Sequence, residues 1–232
     1  MDLIWQGMLE AFRLLIKGDR EVIGIMLLSL EVSGAATLLS LLLGIPVGAF
    51  LALSNFSGRK LILGMVNTGM GMPPVVAGLL VSILLWRSGP LGFFRLLYTP
   101  SAMVIAQFSL AFPIVAGFTM AGIGQINPRL RMQIVALGAS RWQMLLLLLR
   151  EARLPLMAAV MAGFGAVISE VGASMMVGGN IKDQTRVLTT ATVMETGKGN
   201  FSLAIALSII LLALVFAVNL TLTYIQQKRR PA

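Results

Sequence analysis

A long apolar run within residues 22–54 constrains this chain more than any other feature, because it contains a single charged side chain, Glu31. As an α-helix it would be about 48 Å long, whereas the hydrocarbon core of a bilayer is about 30 Å thick. A backbone that crosses a bilayer must satisfy its own hydrogen bonds, and continuous apolar runs favour helices over barrel strands. The sequence therefore predicts an all-α integral membrane protein whose first spanning helix tilts or protrudes.

Composition narrows the possible chemistry. Only 12% of the 232 residues are charged, and the mean hydropathy is +0.91. The chain has no His and no Cys, which excludes His-based triads, thiol nucleophiles and almost every zinc site. Its Gly197-Lys198 pair lacks the upstream glycine of a Walker A loop. We therefore expect no catalytic residue, metal or cofactor in this chain, and any ATP would be bound by another subunit.

Five segments are predicted to span the membrane, and they form one transmembrane domain over residues 22–227. The predicted spans lie at about 22–54, 61–86, 101–123, 155–177 and 201–225. Residues 1–21 precede them and carry an apolar helical face that is expected to lie in the interface against lipid, formed by Ile4, Met8, Ala11, Phe12 and Leu15. Residues 228–232 form a predicted cytoplasmic tail.

The distribution of basic residues predicts the orientation. Ten Lys or Arg residues lie in 55–60, 124–154 and the tail, together with one acid, Glu151. The opposite connections hold eight Lys or Arg residues and six acids. The N-terminus is therefore predicted outside and the C-terminus in the cytoplasm. The net charge of +9 follows from this topology, so we expect no nucleic-acid partner.

The connection at 124–154 is basic and half apolar, yet its apolar run of six residues is too short to cross a bilayer. The sequence predicts a short helix over 133–137, a tight break at 138–140 and a second, interfacial helix over 141–150. The next span would begin at Leu154-Pro155. An amphipathic loop and a docking element for a cytoplasmic partner both agree with this pattern.

The same segment resembles the cytoplasmic coupling loop of ABC importer permeases, whose pattern is Glu-Ala-Ala, three residues, Gly, nine residues, Ile-x-Leu-Pro. Gly138 matches the glycine of that pattern. Met132, Gln133 and Ile134 replace Glu-Ala-Ala, and Leu154-Pro155 comes four residues late. The resemblance implies that a partner ATPase is contacted by Ala136, Leu137, Gly138, Ala139, Ser140, Arg141 and Trp142.

Three further stretches narrow the resemblance to the molybdate and tungstate branch of these permeases. They are 72–79 with 87–92, 98–107 with 112–115, and 168–173 with 177–181 and 185–190. The last is most like the tungstate-type permease, and the resemblance covers about residues 22–227. It implies a type I ABC importer permease fold that translocates tungstate across the cytoplasmic membrane, with molybdate or sulfate as alternatives. The implied partners are a second copy, two ATPase subunits that bind ATP and Mg, and a periplasmic oxyanion-binding protein.

Polar or helix-breaking residues inside the predicted spans mark a candidate pathway or gate. These candidates are Pro73, Pro74, Glu170, Gly172 and Ser174. The proline pair frees backbone groups, which a membrane tolerates only where protein or a water-filled cavity covers them. A carboxylate in a span is by default a functional candidate, but a charged Glu170 would repel a dianion. A structural role and direct contact with the pathway both stay open for it.

The end of the fourth span is a candidate outer mouth. Its residues are Gly178, Gly179, Asn180, Thr185 and Arg186. Backbone amides, hydroxyls and a guanidinium suit a tetrahedral oxyanion, so the set is predicted to meet the anion or the binding protein. A capped and solvated loop is the alternative interpretation. Two other classes of function are a gradient-driven transporter that uses Glu31 and Glu170, and a membrane scaffold that transports nothing.

Overall fold

The computed structural model describes residues 2–228, so four residues of the predicted tail lie outside the described part of the chain. The described residues contain eleven α-helices and one short 3₁₀ helix, Gly92–Phe94. The α-helices are α1 (Asp2–Lys17), α2 (Arg20–Leu53), α3 (Arg59–Met70), α4 (Pro74–Leu85), α5 (Pro100–Gly124), α6 (Pro128–Ala136), α7 (Arg141–Glu151), α8 (Arg153–Ile168), α9 (Gly172–Gly178), α10 (Leu188–Gly197) and α11 (Phe201–Lys228).

Three helices, α2, α5 and α11, are long and apolar enough to cross a membrane unaided. The other two predicted spans are bent pairs: α3 and α4 meet at 107°, and α8 and α9 meet at 57°. The prediction of five spans therefore agrees with the structure if each bent pair counts as one. The prediction of one continuous fourth helix is wrong, because α8 ends at Ile168 and a new helix begins at Gly172.

The packing of α2 against α5 sets the frame of the fold. Gly44 of α2 lies against Val115 of α5, and Ala49 packs with Ile123 nearer the ends of both helices. The two helices therefore run parallel, and glycine lets their backbones approach closely, as is common between membrane helices. We call the end where α2, α5 and α11 begin the upper end, and the opposite end the lower end.

The broken spans and α1 pack around this frame. α8 runs antiparallel to α5, since Pro155 lies at Gly122 and Gly163 lies at Val115. At the upper end α1 crosses α11, with Gly7 against the side chain of Ile205. The apolar face predicted for residues 3–16 is exposed except at the buried Ala11, so its contact with lipid stays a prediction.

Candidate transport pathway and docking surface

The lower end carries a tight turn between α6 and α7. Gly138 has φ +80°, and its amide donates to the carbonyl of Val135 at 3.0 Å. Glycine adopts this left-handed conformation without the steric cost that a β-carbon brings. No heavy atom outside the turn lies within 4 Å of the position that a β-carbon would take. The conformation of the turn is therefore fixed, and the surface at Gly138 is free for a partner to approach.

Capping fixes the second helix of this turn. Ser140 Oγ accepts from the amide of Gln143 at 3.3 Å, and Gln143 Oε1 accepts from the amide of Ser140 at 2.8 Å, which is a capping box. Leu137 is 87% exposed and Trp142 is 75% exposed, whereas Leu148 on α7 is fully buried. The turn therefore exposes two large apolar side chains, Leu137 at the end of α6 and Trp142 in the first turn of α7.

A cavity of about 470 Å³ lies beside these side chains. Its lining consists of Leu137, Gly138, Ala139, Gln143, Leu146, Leu147 and Arg150. The structure therefore places the predicted residues 136–142 in one projecting turn, next to a concave surface. Sequence reasoning missed the four lining residues on α7, although their helical spacing on one face of 141–151 is a usable signal. We call this surface the docking turn (residues 136–150).

The breaks of the two bent spans lie side by side. A β-carbon on Gly78 of α4 would lie 2.7 Å from the Cα atom of Ala173, and one on Gly172 would lie 2.9 Å from Cγ2 of Val75. The first turns of α4 and α9 are thus in direct contact. Of the predicted gate residues, the structure brings Pro74 and Gly172 together through Val75, although they are far apart in sequence.

Glu170 lies in the second break and is buried. Its Oε1 atom accepts from the amide of Ala173 at 2.7 Å, so its carboxylate caps the first turn of α9. Its backbone carbonyl accepts from the hydroxyl of Thr189 at 2.9 Å, which ties the break to α10. These two bonds give Glu170 a structural role at the start of α9.

Ser174 is fully buried rather than facing open space in this chain. Its hydroxyl oxygen accepts from Nε2 of Gln107 at 3.2 Å, which joins α9 to α5. Gln107 is also buried, and its Oε1 atom has no hydrogen-bond partner within the described residues. Sequence reasoning missed Gln107, although a lone amide inside an apolar run is itself a signal.

The break between α3 and α4 is exposed, whereas Glu170 in the break between α8 and α9 is buried. Pro73 and Pro74 are exposed, and Val66 is the only buried residue of α3. Asn67 and Thr68, which sequence reasoning also missed, are exposed polar residues one turn from the break. This side of the chain therefore presents irregular backbone and exposed polar side chains within the bent pair of α3 and α4.

The predicted outer-mouth residues form a closed loop at the upper end. Thr185 is fully buried, accepts from the amide of Ile181 at 2.9 Å and donates to the carbonyl of Gly178 at 2.6 Å. Gly179 caps the end of α9 with φ +71°. Asn180 follows in the same left-handed region, and its Oδ1 atom is buried without a partner among the described residues.

Glu21 holds the cations of this loop. Its carboxylate pairs with Lys182 Nζ at 2.6 Å and with Arg186 Nη1 at 3.3 Å. The hydrogen bond and charge of Glu21 raise the pKa of Lys182. On α10, hydrogen bonds from Lys198 and Asn200 lower the pKa of Glu195. Arg186, proposed from sequence to meet an anion, is therefore engaged by a carboxylate in this conformation.

Comparison with known proteins decides the family. Residues 44–231 match the family described as the binding-protein-dependent transport system inner membrane component. This chain belongs to that family. It is a membrane-spanning transport component of a family that lacks an ATPase site of its own. Within the described residues, no group of three or more Asp, Glu, His or Cys side chains could hold a metal ion.

Individual relatives refine this membership. The "Tungstate uptake system permease protein TupB" of Peptoclostridium acidaminophilum is 40% identical over 98% of this chain and 100% of that protein. The "Probable anion ABC transporter permease protein" of Haloferax volcanii is 42% identical over 85% of this chain and 88% of that protein. The "Molybdenum transport system permease protein ModB" of Haemophilus influenzae is 31% identical over 71% of this chain and 75% of that protein.

The fold of the family also matches. A bacterial alginate ABC transporter, solved in complex with an alginate pentasaccharide-bound periplasmic protein, has a TM-score of 0.73. It is 21% identical, and the match covers 90% of this chain and 79% of that one. The prediction of a type I ABC importer permease fold is thereby confirmed.

Proposed function

We propose that this chain is the permease subunit through which an ATP-driven importer moves tungstate across the cytoplasmic membrane. The choice of tungstate as substrate rests on one observation, the 40% identity over nearly the whole chain with a protein named as a tungstate uptake permease. The identity with the molybdenum permease is lower and covers less of the chain. Molybdate and sulfate are the alternative ions.

The docking turn is the proposed contact with the ATPase subunits, which bind ATP and Mg. It exposes Leu137 at the end of α6 and Trp142 in the first turn of the capped helix α7, beside a cavity that a partner side chain can fill. Apolar anchors in concave surroundings are typical of the energetic centre of an interface. This assignment puts the lower end in the cytoplasm and the N-terminus outside, in agreement with the excess of Lys and Arg at the lower end.

The two adjacent breaks are the proposed gate. The N-terminal end of a half-helix carries partial positive charge, and α4 begins at membrane depth. The negative charge of Glu170 is directed to the first turn of α9, so it does not oppose an oxyanion on the open side of α4. Ser174 contributes by joining α9 to α5 rather than by touching the ion.

The open side of α3 and α4 is the proposed face for a second copy of the chain. Irregular backbone at membrane depth is tolerated only where protein covers it or a water-filled cavity adjoins it. The chain has no cysteine, so a Thr68→Cys variant would carry a unique thiol. We expect it to form a disulfide between copies in native membranes. A Phe216→Cys variant, on the exposed face of α11, is the control that should stay monomeric.

The upper end is the proposed contact with a periplasmic oxyanion-binding protein. The alginate transporter of the same fold was solved in complex with an alginate pentasaccharide-bound periplasmic protein. Tight capture of the ion is expected in the binding protein, because a pathway that holds its substrate tightly cannot release it.

The test is uptake of tungsten and molybdenum, measured by mass spectrometry on deletion strains supplied with nanomolar oxyanion. A Gly138→Glu variant should abolish tungsten uptake while the protein stays in the membrane. Gly58→Glu is the matched control, because Gly58 has φ +88° and equally open surroundings at the lower end, outside the docking turn. Equal losses in both variants would contradict the docking role. Uptake that survives removal of the ATPase subunit would favour a gradient-driven transporter.

A further inference from the structure

A cavity of about 590 Å³ lies at the upper end, beyond the last turn of α4. Two guanidinium groups, from Arg87 and Arg95, line it together with the rings of Trp86, Phe93 and Tyr98. The mechanism proposed above uses none of these residues. The combination of two cations with a mainly apolar wall needs its own explanation.

The two arginines differ from the three cations that follow α9. Lys182 and Arg186 pair with Glu21, and Lys198 pairs with Glu195. Arg87 and Arg95 form no ion pair in the described part of the chain. The sequence offers them no local partner, because it contains no Asp or Glu between Glu31 and Glu151. The cavity therefore carries two uncompensated positive charges.

The surroundings of the cavity are those of a membrane interface. Trp86, Phe93, Phe94 and Tyr98 are all exposed, and Phe93 is 71% exposed. Aromatic side chains concentrate at the level of lipid headgroups, where one part of the ring is apolar and another is wet. An exposed phenylalanine pair next to arginines is unsuited to open water, and it suits a ligand that has both an anionic group and hydrocarbon.

The backbone holds the cavity wall in a strained but fixed shape. Arg95 has φ +53° and Tyr98 has φ +64°, a region that residues with a β-carbon seldom occupy. The amide of Tyr98 donates to the carbonyl of Val177 at 2.8 Å. A β-carbon on Gly179 would lie 2.9 Å from the Tyr98 ring. The cavity is thus fastened to the upper end of α9, one of the two helices at the proposed gate.

We propose that this cavity binds the phosphate of an anionic phospholipid, with Arg87 and Arg95 on the phosphate oxygens and the aromatic wall against the upper part of the acyl chains. Paired guanidinium groups are well suited to such oxygens, because charge-assisted hydrogen bonds to phosphate are strong and directional. A free oxyanion shares the phosphate chemistry but would leave the apolar wall uncovered, so the lipid is favoured. The bound lipid would stabilise the loop that supports α9.

The experiment uses the full chain purified in neutral detergent, with phosphatidylglycerol and phosphatidylcholine as probes. Bound lipid is counted by native mass spectrometry, and the unfolding temperature is measured during lipid titration. The wild type should retain phosphatidylglycerol and prefer it to phosphatidylcholine. The Arg87→Gln/Arg95→Gln variant should lose about tenfold in apparent affinity for phosphatidylglycerol and lose that preference. Arg87→Lys/Arg95→Lys, which keeps the charge but not the bidentate geometry, should fall between them.

The control is Arg13→Gln/Arg20→Gln, which removes the same charge from exposed positions at the same end and should leave the preference unchanged. An equal loss in this control would overturn the proposal, because it would reduce the effect to surface charge. A wild type without any preference would overturn it as well. Displacement of the lipid by tungstate, but not by sodium chloride at matched ionic strength, would reassign the cavity to the transported ion.

Discussion

Both broken spans leave backbone groups without helical hydrogen bonds, and the two breaks differ in how they accommodate those groups. In the break between α8 and α9, Glu170 is buried although Ser169 is exposed, and the carboxylate of Glu170 accepts from the amide of Ala173. Between α3 and α4 the break is exposed, and Pro73 caps α4 without any side-chain hydrogen bond. The break between α8 and α9 satisfies a backbone amide by a hydrogen bond within the chain. The break between α3 and α4 lacks the amide donors that proline removes, and its surface is exposed.

This difference shows which break can move. A buried break with an internal cap loses hydrogen bonds if it opens, and unpaired groups in the membrane are costly. An exposed break carries less of this cost, because its residues are not buried within this chain. We therefore expect the first break to change shape during transport, while the second acts as the rigid support against which it moves.

The largest effect should come from the contact between the two breaks. In a Gly78→Val variant the new β-carbon would lie 2.7 Å from the Cα atom of Ala173, so backbone must shift. Overpacking of this kind costs about 3 kcal/mol of unfolding free energy. Gly165→Val is the control, since no atom outside its own helix lies within 4 Å of that position. Denaturation in detergent measures both, and equal stability would mean that α4 and α9 are not in contact.

The next effect should come from the cap of the buried break. Glu170→Ala leaves the amide of Ala173 buried and unpaired, at a cost of about 2 kcal/mol. Glu170→Gln retains an oxygen acceptor and should lose less. Ser169→Ala is a neighbouring control, because the Ser169 hydroxyl is exposed and bonds only to its own helix. A carboxylate that contacts the ion instead would give a variant with normal stability and altered ion preference.

The sequence predicts those parts of the fold that depend on neighbouring residues. The apolar runs reveal the spans, the proline pair reveals the first break, and a glycine followed by Ser140 reveals the docking turn. In each case the physical cause lies within a few residues of its effect. The break at 169–171 was missed although Glu170 accepts from the amide of Ala173 only three residues away, because the apolar pattern of the span continues on both sides of the break and hides this local cap.

Residue type alone could not say which way the polar groups of the candidate site face. Ser174 is a sequence candidate for the pathway or gate, and Thr185 for contact with the anion or the binding protein. In this structure each is buried and bonded within the chain. Their partners Gln107 and Gly178 depend on how α5, α9 and the upper loop pack. Contacts of this kind join distant parts of the sequence, so they follow from tertiary packing rather than from local pattern.

A smaller loss of stability should follow from weakening α10, which contacts the break between α8 and α9 through Thr189. Thr189 binds Glu170 from the start of α10, and Glu195 holds the far end of α10 through Lys198 and Asn200. Because these bonds lower the pKa of Glu195, their contribution is present above its ordinary value of 4.5 and is lost as the pH falls through the folded value. Glu195→Gln should therefore destabilise the protein at pH 7, and by less at pH 3.

The matched variant for this titration is Glu10→Gln, whose pairing with Arg13 is exposed at α1. It should change stability little at either pH, because exposed ion pairs contribute little. If both variants show the same dependence on pH, the titration reports general surface charge rather than the support of α10.

The smallest change in stability, and the sharpest test of the comparison, comes from the exposed break. Replacing Pro73 and Pro74 by alanine removes two restricted residues from a site that has no internal cap, so stability should fall by less than about 1 kcal/mol. Tungsten uptake should nevertheless fall several-fold, because a more helical junction would resist the bend that the gate requires. The buried break predicts the reverse for Glu170→Gln, in which stability changes more than ion preference. If the proline variant instead unfolds while uptake per folded molecule is unchanged, the exposed break is the rigid element and the assignment of the two breaks must be exchanged.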